Sequence, residues 1–98
     1  MPSFAEMFGH QLKAERTAIT GVDDPAYFAS LVGVEPHCLE TFESGSVMPN
    51  AILAREMNLV LYILRQVREA GYSPNDRTRV EALIDFVRRG GQLPEEVI

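Results

Sequence analysis

The chain has no tryptophan, one cysteine, and no lysine or arginine anywhere between residues 20 and 50. A single thiol, Cys38, cannot close an intramolecular disulfide, so a reducing compartment, the cytoplasm, is the expected location. The longest uninterrupted apolar run is LVLYIL, residues 59–64. That is far short of the roughly 20 residues a membrane-spanning helix needs, so no membrane role is expected. The opening residues MPSFAEMFGHQL have neither a basic start nor a long apolar segment, so no secretory signal is expected. His10 is distant in sequence from His37-Cys38, and no spacing resembles a zinc site or a Cys-His nucleophile pair. The glycines read as helix ends and not as a phosphate-binding loop. No enzymatic activity, metal or cofactor is expected.

What remains is a chain of 98 residues, 46% hydrophobic, enough for one domain with one modest core. Nine basic and fourteen acidic side chains give a formal charge of −5, and the deficit is local. Asp23, Asp24, Glu35, Glu40 and Glu43 occupy residues 20–50 with no cation among them, whereas the segments on either side are balanced. In the second half Arg65, Arg68, Arg77, Arg79, Arg88 and Arg89 alternate with Glu69, Asp76, Glu81 and Asp85, a pattern of solvated faces with i,i+4 pairs. Glu95-Glu96 read as decoration of a solvated tail, and residues 91–98 have no assigned role.

Periodicity and punctuation predict five helices and no strand. The first runs from an N-cap at Ser3 to about Ala18, with Phe4, Met7, Phe8 and Leu12 at helical spacing, and stops at Gly21. Asp24-Pro25 open a short second helix that buries Phe28, Leu31 and Val32 and turns at Gly33. Glu35-Pro36 begin a third, spanning about 36–44, with Leu39 and Phe42 inward and Gly45 at its end. Asn50 caps a long fourth helix whose apolar set is Ile52, Leu53, Met57, Val60, Leu61, Ile63, Leu64 and Val67. Ser73-Pro74 are expected to open the fifth, which carries Val80, Leu83, Ile84 and Val87 and ends at Gly90-Gly91. The last two stripes look wider than a small core can cover. Met57, Leu61, Leu64, Val80, Leu83, Ile84 and Val87 are therefore expected to form a homodimer interface, in a C-terminal dimerisation region of about 50–90.

The stretch LVGVEPHCLETFESG, with the residues around it, resembles the Cro/C1-type (XRE-like) helix-turn-helix superfamily. The similarity covers residue 8 to about residue 64. Ala29, the Gly33-Val34 turn, Leu39, Glu43 and Gly45 stand in the family's order and spacing, and Leu12 to Arg16 and Pro49 also fit. The TGVDDP turn adds two residues to the pattern. The resemblance implies an all-α, five-helix, lambda-repressor-like domain, with the helix-turn-helix core at about 4–64. It also implies that Arg16 pairs with Glu43, and that base-reading side chains fall at Pro36, His37, Glu40 and Thr41. Ser44, Ser46 and Asn50 would meet the DNA backbone, with Lys13 and Arg55 as the nearest cations for phosphate.

Two functions follow. One is a homodimeric, sequence-specific DNA-binding regulator whose third helices enter successive major grooves. The other is a protein-interaction module in which the acidic face of helices two and three meets a protein partner. The fold resemblance favours the first, and the missing Lys and Arg favour the second, because phosphate neutralisation supplies most non-specific affinity for DNA.

Overall fold

The computed structural model describes residues 3–21 and 25–91. Five α-helices, with no strand among the described residues, follow in the order α1 (Phe4–Thr20), α2 (Pro25–Val32), α3 (Pro36–Glu43), α4 (Ala51–Glu69) and α5 (Arg77–Arg88). The starts of α1, α3 and α4 have local causes. Ser3 Oγ accepts from Glu6 N while the Glu6 carboxylate accepts from Ser3 N, a reciprocal cap that satisfies two amide hydrogens at the head of α1. Asn50 Oδ1 accepts from Leu53 N at 2.8 Å and opens α4. α3 has no side-chain cap; Pro36 at its first turn supplies the preset φ instead. The expected cap at Asp24 lies outside the described residues, as do Asp23 and the 92–98 tail.

α5 begins later than the sequence suggests. Ser73 Oγ accepts from Asn75 N and closes a separate turn, and Asp76, not Ser73, caps the helix by accepting from Arg79 N. That turn is held for a tertiary reason. The last carbonyls of a helix have no partner within it. Here Ala18 O accepts from Arg68 Nη1 at 2.7 Å and Thr20 O from Asn75 Nδ2 at 2.9 Å, so α4 and the turn after it cap the end of α1. Across the same junction Tyr27 Oη donates to Pro74 O at 2.8 Å.

The core is built around α4, which packs against α1, α2 and α5. This placement answers why its apolar stripe is so wide. Met57, Val60, Leu61, Ile63, Leu64 and Val67 are all buried by the chain's own helices. Phe28, Ala29, Leu31 and Val32 of α2, Leu39 of α3, and Val80 and Ile84 of α5 close the same cluster. Five of the residues expected at a dimer interface, Met57, Leu61, Leu64, Val80 and Ile84, are thus core residues of the chain itself. Leu83 and Val87 remain half-buried at its edge. An aspartate at Leu64 or Ile84 would unfold the domain rather than split a dimer, because the charge would sit unpaired in the core. The reverse correction applies to Phe4, Met7 and Ile52: they carry helical spacing yet are largely exposed, Phe4 at 84% and Ile52 at 77%.

Glycine at position 9 is not a helix end. It lies within α1, where an added Cβ would overlap the carbonyl oxygen of Phe42 and stand 2.7 Å from that of Glu43. α1 therefore crosses the end of α3 backbone against side-chain-free backbone. Gly33 serves differently: at φ +96° it reverses the chain between α2 and α3, and its N–H and that of Val34 both reach Ala29 O.

The Tyr27–Pro74 bond gives an alkaline-stability prediction. Burial is the main cause that pushes the Tyr27 phenol above its ordinary value of 10.0, with Arg77 opposing it. A group whose folded pKa is raised contributes stability that is full below the unfolded value and is lost as pH climbs through the folded one. Melting temperature should therefore fall above about pH 10 more steeply in the native chain than in Tyr27→Phe. Parallel pH profiles of the two proteins would show the bond to be inconsequential.

Candidate nucleic-acid interface

α3 has two dissimilar edges. With 3.6 residues per turn, Leu39, Phe42 and Glu43 fall on one side and Pro36, His37, Glu40, Thr41 and Ser44 on the other. Leu39 is fully buried in the core, and Glu43 is buried against α1. Arg16 Nε donates to Glu43 Oε2 at 2.6 Å and Arg16 Nη2 donates to Oε1 at 2.9 Å, a bidentate pair whose members are 1% and 6% exposed at the side chain. The pairing expected between these residues is formed, and it removes the Glu43 charge from the open edge. Glu43 is a clamp between α1 and α3, and not an anion aimed outward.

The outward edge gathers most of the nominated side chains. Pro36, His37, Glu40 and Ser44 are exposed, and Thr41 is half-buried. Their polar groups are wired locally. Thr41 Oγ1 donates to His37 O at 2.8 Å and Ser44 Oγ donates to Thr41 O at 2.9 Å. Ser46 Oγ lies 2.9 Å from Ser44 Oγ, within the loop that leads to α4. The His37 ring is 71% exposed, with Nδ1 3.2 Å from the Glu35 carboxylate and Nε2 3.7 Å from Cys38 Sγ. Sequence spacing did not suggest this His37–Cys38 contact. Cys38 itself is half-buried. Asn50 is exposed and uses its carbonyl oxygen to cap α4.

No Lys or Arg lies on this edge, and most of the cations elsewhere are paired. Arg65 pairs with Glu15, Arg77 with Glu81, Arg79 with Asp76, Arg88 with Glu56, and Arg89 with Asp85. Arg79 also stacks on the Tyr72 ring, 3.8 Å from its centroid. Among the described residues, Lys13 and Arg55 are the exposed cations with no hydrogen bond or ion pair. Lys13 sits one turn beyond Gly9, on the α3 side of α1; Arg55 sits in the second turn of α4, after the 46–49 loop. Around that loop the apolar side chains Val47, Met48 and Ile52 are all exposed, which their residue types alone did not indicate.

No group of three or more His, Cys, Asp or Glu side chains among the described residues is placed to hold a metal ion. A groove of about 440 Å³ runs between α1 and α4, lined by Phe8, Gln11, Leu12, Glu15, Asn58, Leu61 and Arg65, and it contains none of the α3 edge. No helix among the described residues is long and apolar enough to cross a membrane. No family model, curated protein or solved structure matches the chain.

Proposed function

We propose that the chain is a helix-turn-helix, sequence-specific DNA-binding regulator that acts as a homodimer, with α3 as the helix that enters the major groove. The observation that carries this reading is the two-edged α3, clamped on one side by Leu39 and the Arg16–Glu43 pair and open on the other. An α-helix with its side chains is about 10–12 Å across, and the major groove is about 12 Å wide. Such a helix must be held from one side only. The α2–Gly33–α3 connection and the free cations Lys13 and Arg55 support the same reading, as does the Asn50 cap at the head of α4.

Phosphate contact is sparse in this arrangement. Two cations per protomer release roughly four counterions per dimer, against about ten for a strongly basic repressor, so the slope of log K on log salt should be about −3.5. Lys13→Ala and Arg55→Ala should each flatten that slope, while Thr41→Ala and His37→Ala should each weaken specific binding by about 1–3 kcal/mol. Gel shifts at two salt concentrations measure all four. A steep slope near −10 would place the phosphate contacts elsewhere.

The pairing surface must exclude the buried part of α4 and α5. Leu83 and Val87, half-buried, adjoin the exposed Phe86 on α5, and the exposed Ile52 and Tyr62 lie on the solvent side of α4. Phe86→Asp should halve the solution mass without loss of helix content, since its side chain is outside the core. A wild-type mass of one chain at micromolar concentration would remove the dimer.

A second reading has its own observation. Val47, Met48 and Ile52 are exposed where a DNA-contacting loop would carry Lys or Arg, and Glu35 and Glu40 are exposed on α3 and at its start. Exposed apolar side chains after α3, with carboxylates along it, suit a basic protein partner. Glu40→Lys discriminates the two: it should strengthen non-specific DNA binding in a protein that already binds. If it instead creates affinity where the wild type has none, and neither His37→Ala nor Thr41→Ala changes binding, the second reading stands.

A further inference from the structure

Resting on the DNA-reading role of α3, we infer that this helix recognises exocyclic amino groups, cytosine N4 and adenine N6, and not the acceptor edge of guanine. The inference comes from counting hydrogens on the open edge. Glu40 ends in a carboxylate, which only accepts. Thr41 has one hydroxyl hydrogen, and it is directed at His37 O. Ser44 has one, directed at Thr41 O, so in the 2.9 Å Ser44–Ser46 contact the donor is Ser46. All three hydroxyls therefore face outward with lone pairs alone. Pro36 has no amide hydrogen.

His37 completes the set. Its Nδ1 stands 3.2 Å from the Glu35 carboxylate, an atom with no hydrogen to give, so the ring hydrogen belongs on Nδ1. In the neutral ring Nε2 is then an acceptor too, 3.7 Å from Cys38 Sγ, and has no hydrogen to offer a base. The donors considered beside α3 lie off the helix: the amide nitrogen of Asn50, whose oxygen caps α4, and the exposed Lys13 and Arg55. α3 thus presents acceptors in the groove while donors flank it.

In the major groove, guanine displays the N7 and O6 acceptors, thymine displays O4, and adenine displays N7 beside its N6 amine. An edge made of acceptors is repelled by the first two and attracted to the amines of adenine and cytosine. The Thr41 and Ser44 rotors could each turn a hydrogen outward, but that would leave a helix carbonyl without its second bond and bring no cation to a guanine. Recognition of amines needs no rearrangement.

The test uses the full chain and a duplex site selected from a random pool. Within the selected half-site, N4-methylcytosine or N6-methyladenine keeps Watson–Crick pairing but replaces the groove-facing amino hydrogen. 7-Deazaguanine and 7-deazaadenine keep the amine and remove the N7 acceptor. One methylated amine per half-site should weaken binding about tenfold, and the deaza bases should change it less than twofold. Glu40→Gln adds an amide donor and should make binding sensitive to 7-deazaadenine, because a glutamine bridges adenine N6 and N7. Loss of binding with 7-deazaguanine, and indifference to methylated amines, would overturn amine readout while leaving sequence-specific DNA binding in place. Selection of no sequence at all would overturn both, and would leave the acceptor edge to a basic protein partner.

Discussion

Arg16→Ala is expected to lower the unfolding free energy by about 3–5 kcal/mol, the usual cost of stranding one member of a buried ion pair. Arg16 and Glu43 sit between α1 and α3, nearly inaccessible to water, with two hydrogen bonds of 2.6 and 2.9 Å. The alanine leaves the Glu43 carboxylate without a counter-charge in a site that water barely reaches. For a domain of this size the loss corresponds to roughly 15–30 °C in melting temperature. Removing the charge and its partner together should be far milder, since a buried pair is often replaceable by apolar residues of similar volume. The double variant Arg16→Met, Glu43→Leu should therefore recover most of what Arg16→Ala loses. A single alanine variant that melts within a few degrees of the parent would show that the pair contributes little and that Leu39, Phe42 and the Gly9 crossing hold α3.

Gly9→Ala is the second large effect, and its sign is the instructive part. At an open position inside a helix, alanine is favoured over glycine by about 1 kcal/mol. At position 9 the new methyl would collide with the carbonyl oxygens of Phe42 and Glu43, which are backbone and cannot swing away. Overpacking of this kind typically costs 1–3 kcal/mol, and more where the obstacle is rigid, so the clash outweighs the propensity gain. Gly9→Ala should destabilise by about 2 kcal/mol, and Gly9→Val by more. Relief of the clash separates α1 from α3 and stretches the Arg16–Glu43 pair, so Gly9→Ala and Arg16→Ala should combine to less than their sum. Thermal melts of the two single variants and the double variant test this. A stabilised Gly9→Ala would mean that α1 and α3 do not approach as closely as described.

Much of the local structure was legible in the residues. The Ser3–Glu6 cap, the Asn50 cap, Pro36 at a first turn and Gly33 between two short apolar stretches are short-range signals, and each operates within a few residues. The outward edge of α3 was legible for the same reason: once a helix over 36–43 is granted, periodicity sets His37 and Thr41 on the side away from Leu39. The start of α5 was misjudged because Ser73-Pro74 satisfy the same local rule as Asp76 does. The choice between them is made by Tyr27 and Thr20, distant in the chain, which hold residues 74 and 75 in a turn.

Apolar stripes also have a width that local reasoning cannot interpret. A wide stripe serves equally for a helix meeting a second copy and for one surrounded by its own chain. α4 is of the latter kind, with α1, α2 and α5 on three sides. That is why Met57, Leu61, Leu64, Val80 and Ile84 belong to the core, while Phe4, Met7 and Ile52, with the same spacing, lie open.

The residues alone determined that this chain is helical, where four of its five helices begin, and which edge of α3 is polar. Those features follow from interactions within one or two turns. The tertiary structure decided the burial of Arg16 against Glu43, the close crossing at Gly9 and the capping of α1 by Arg68 and Asn75. Each of these joins positions 27 or more residues apart, and their geometry depends on how whole helices cross, which no local pattern of side chains encodes.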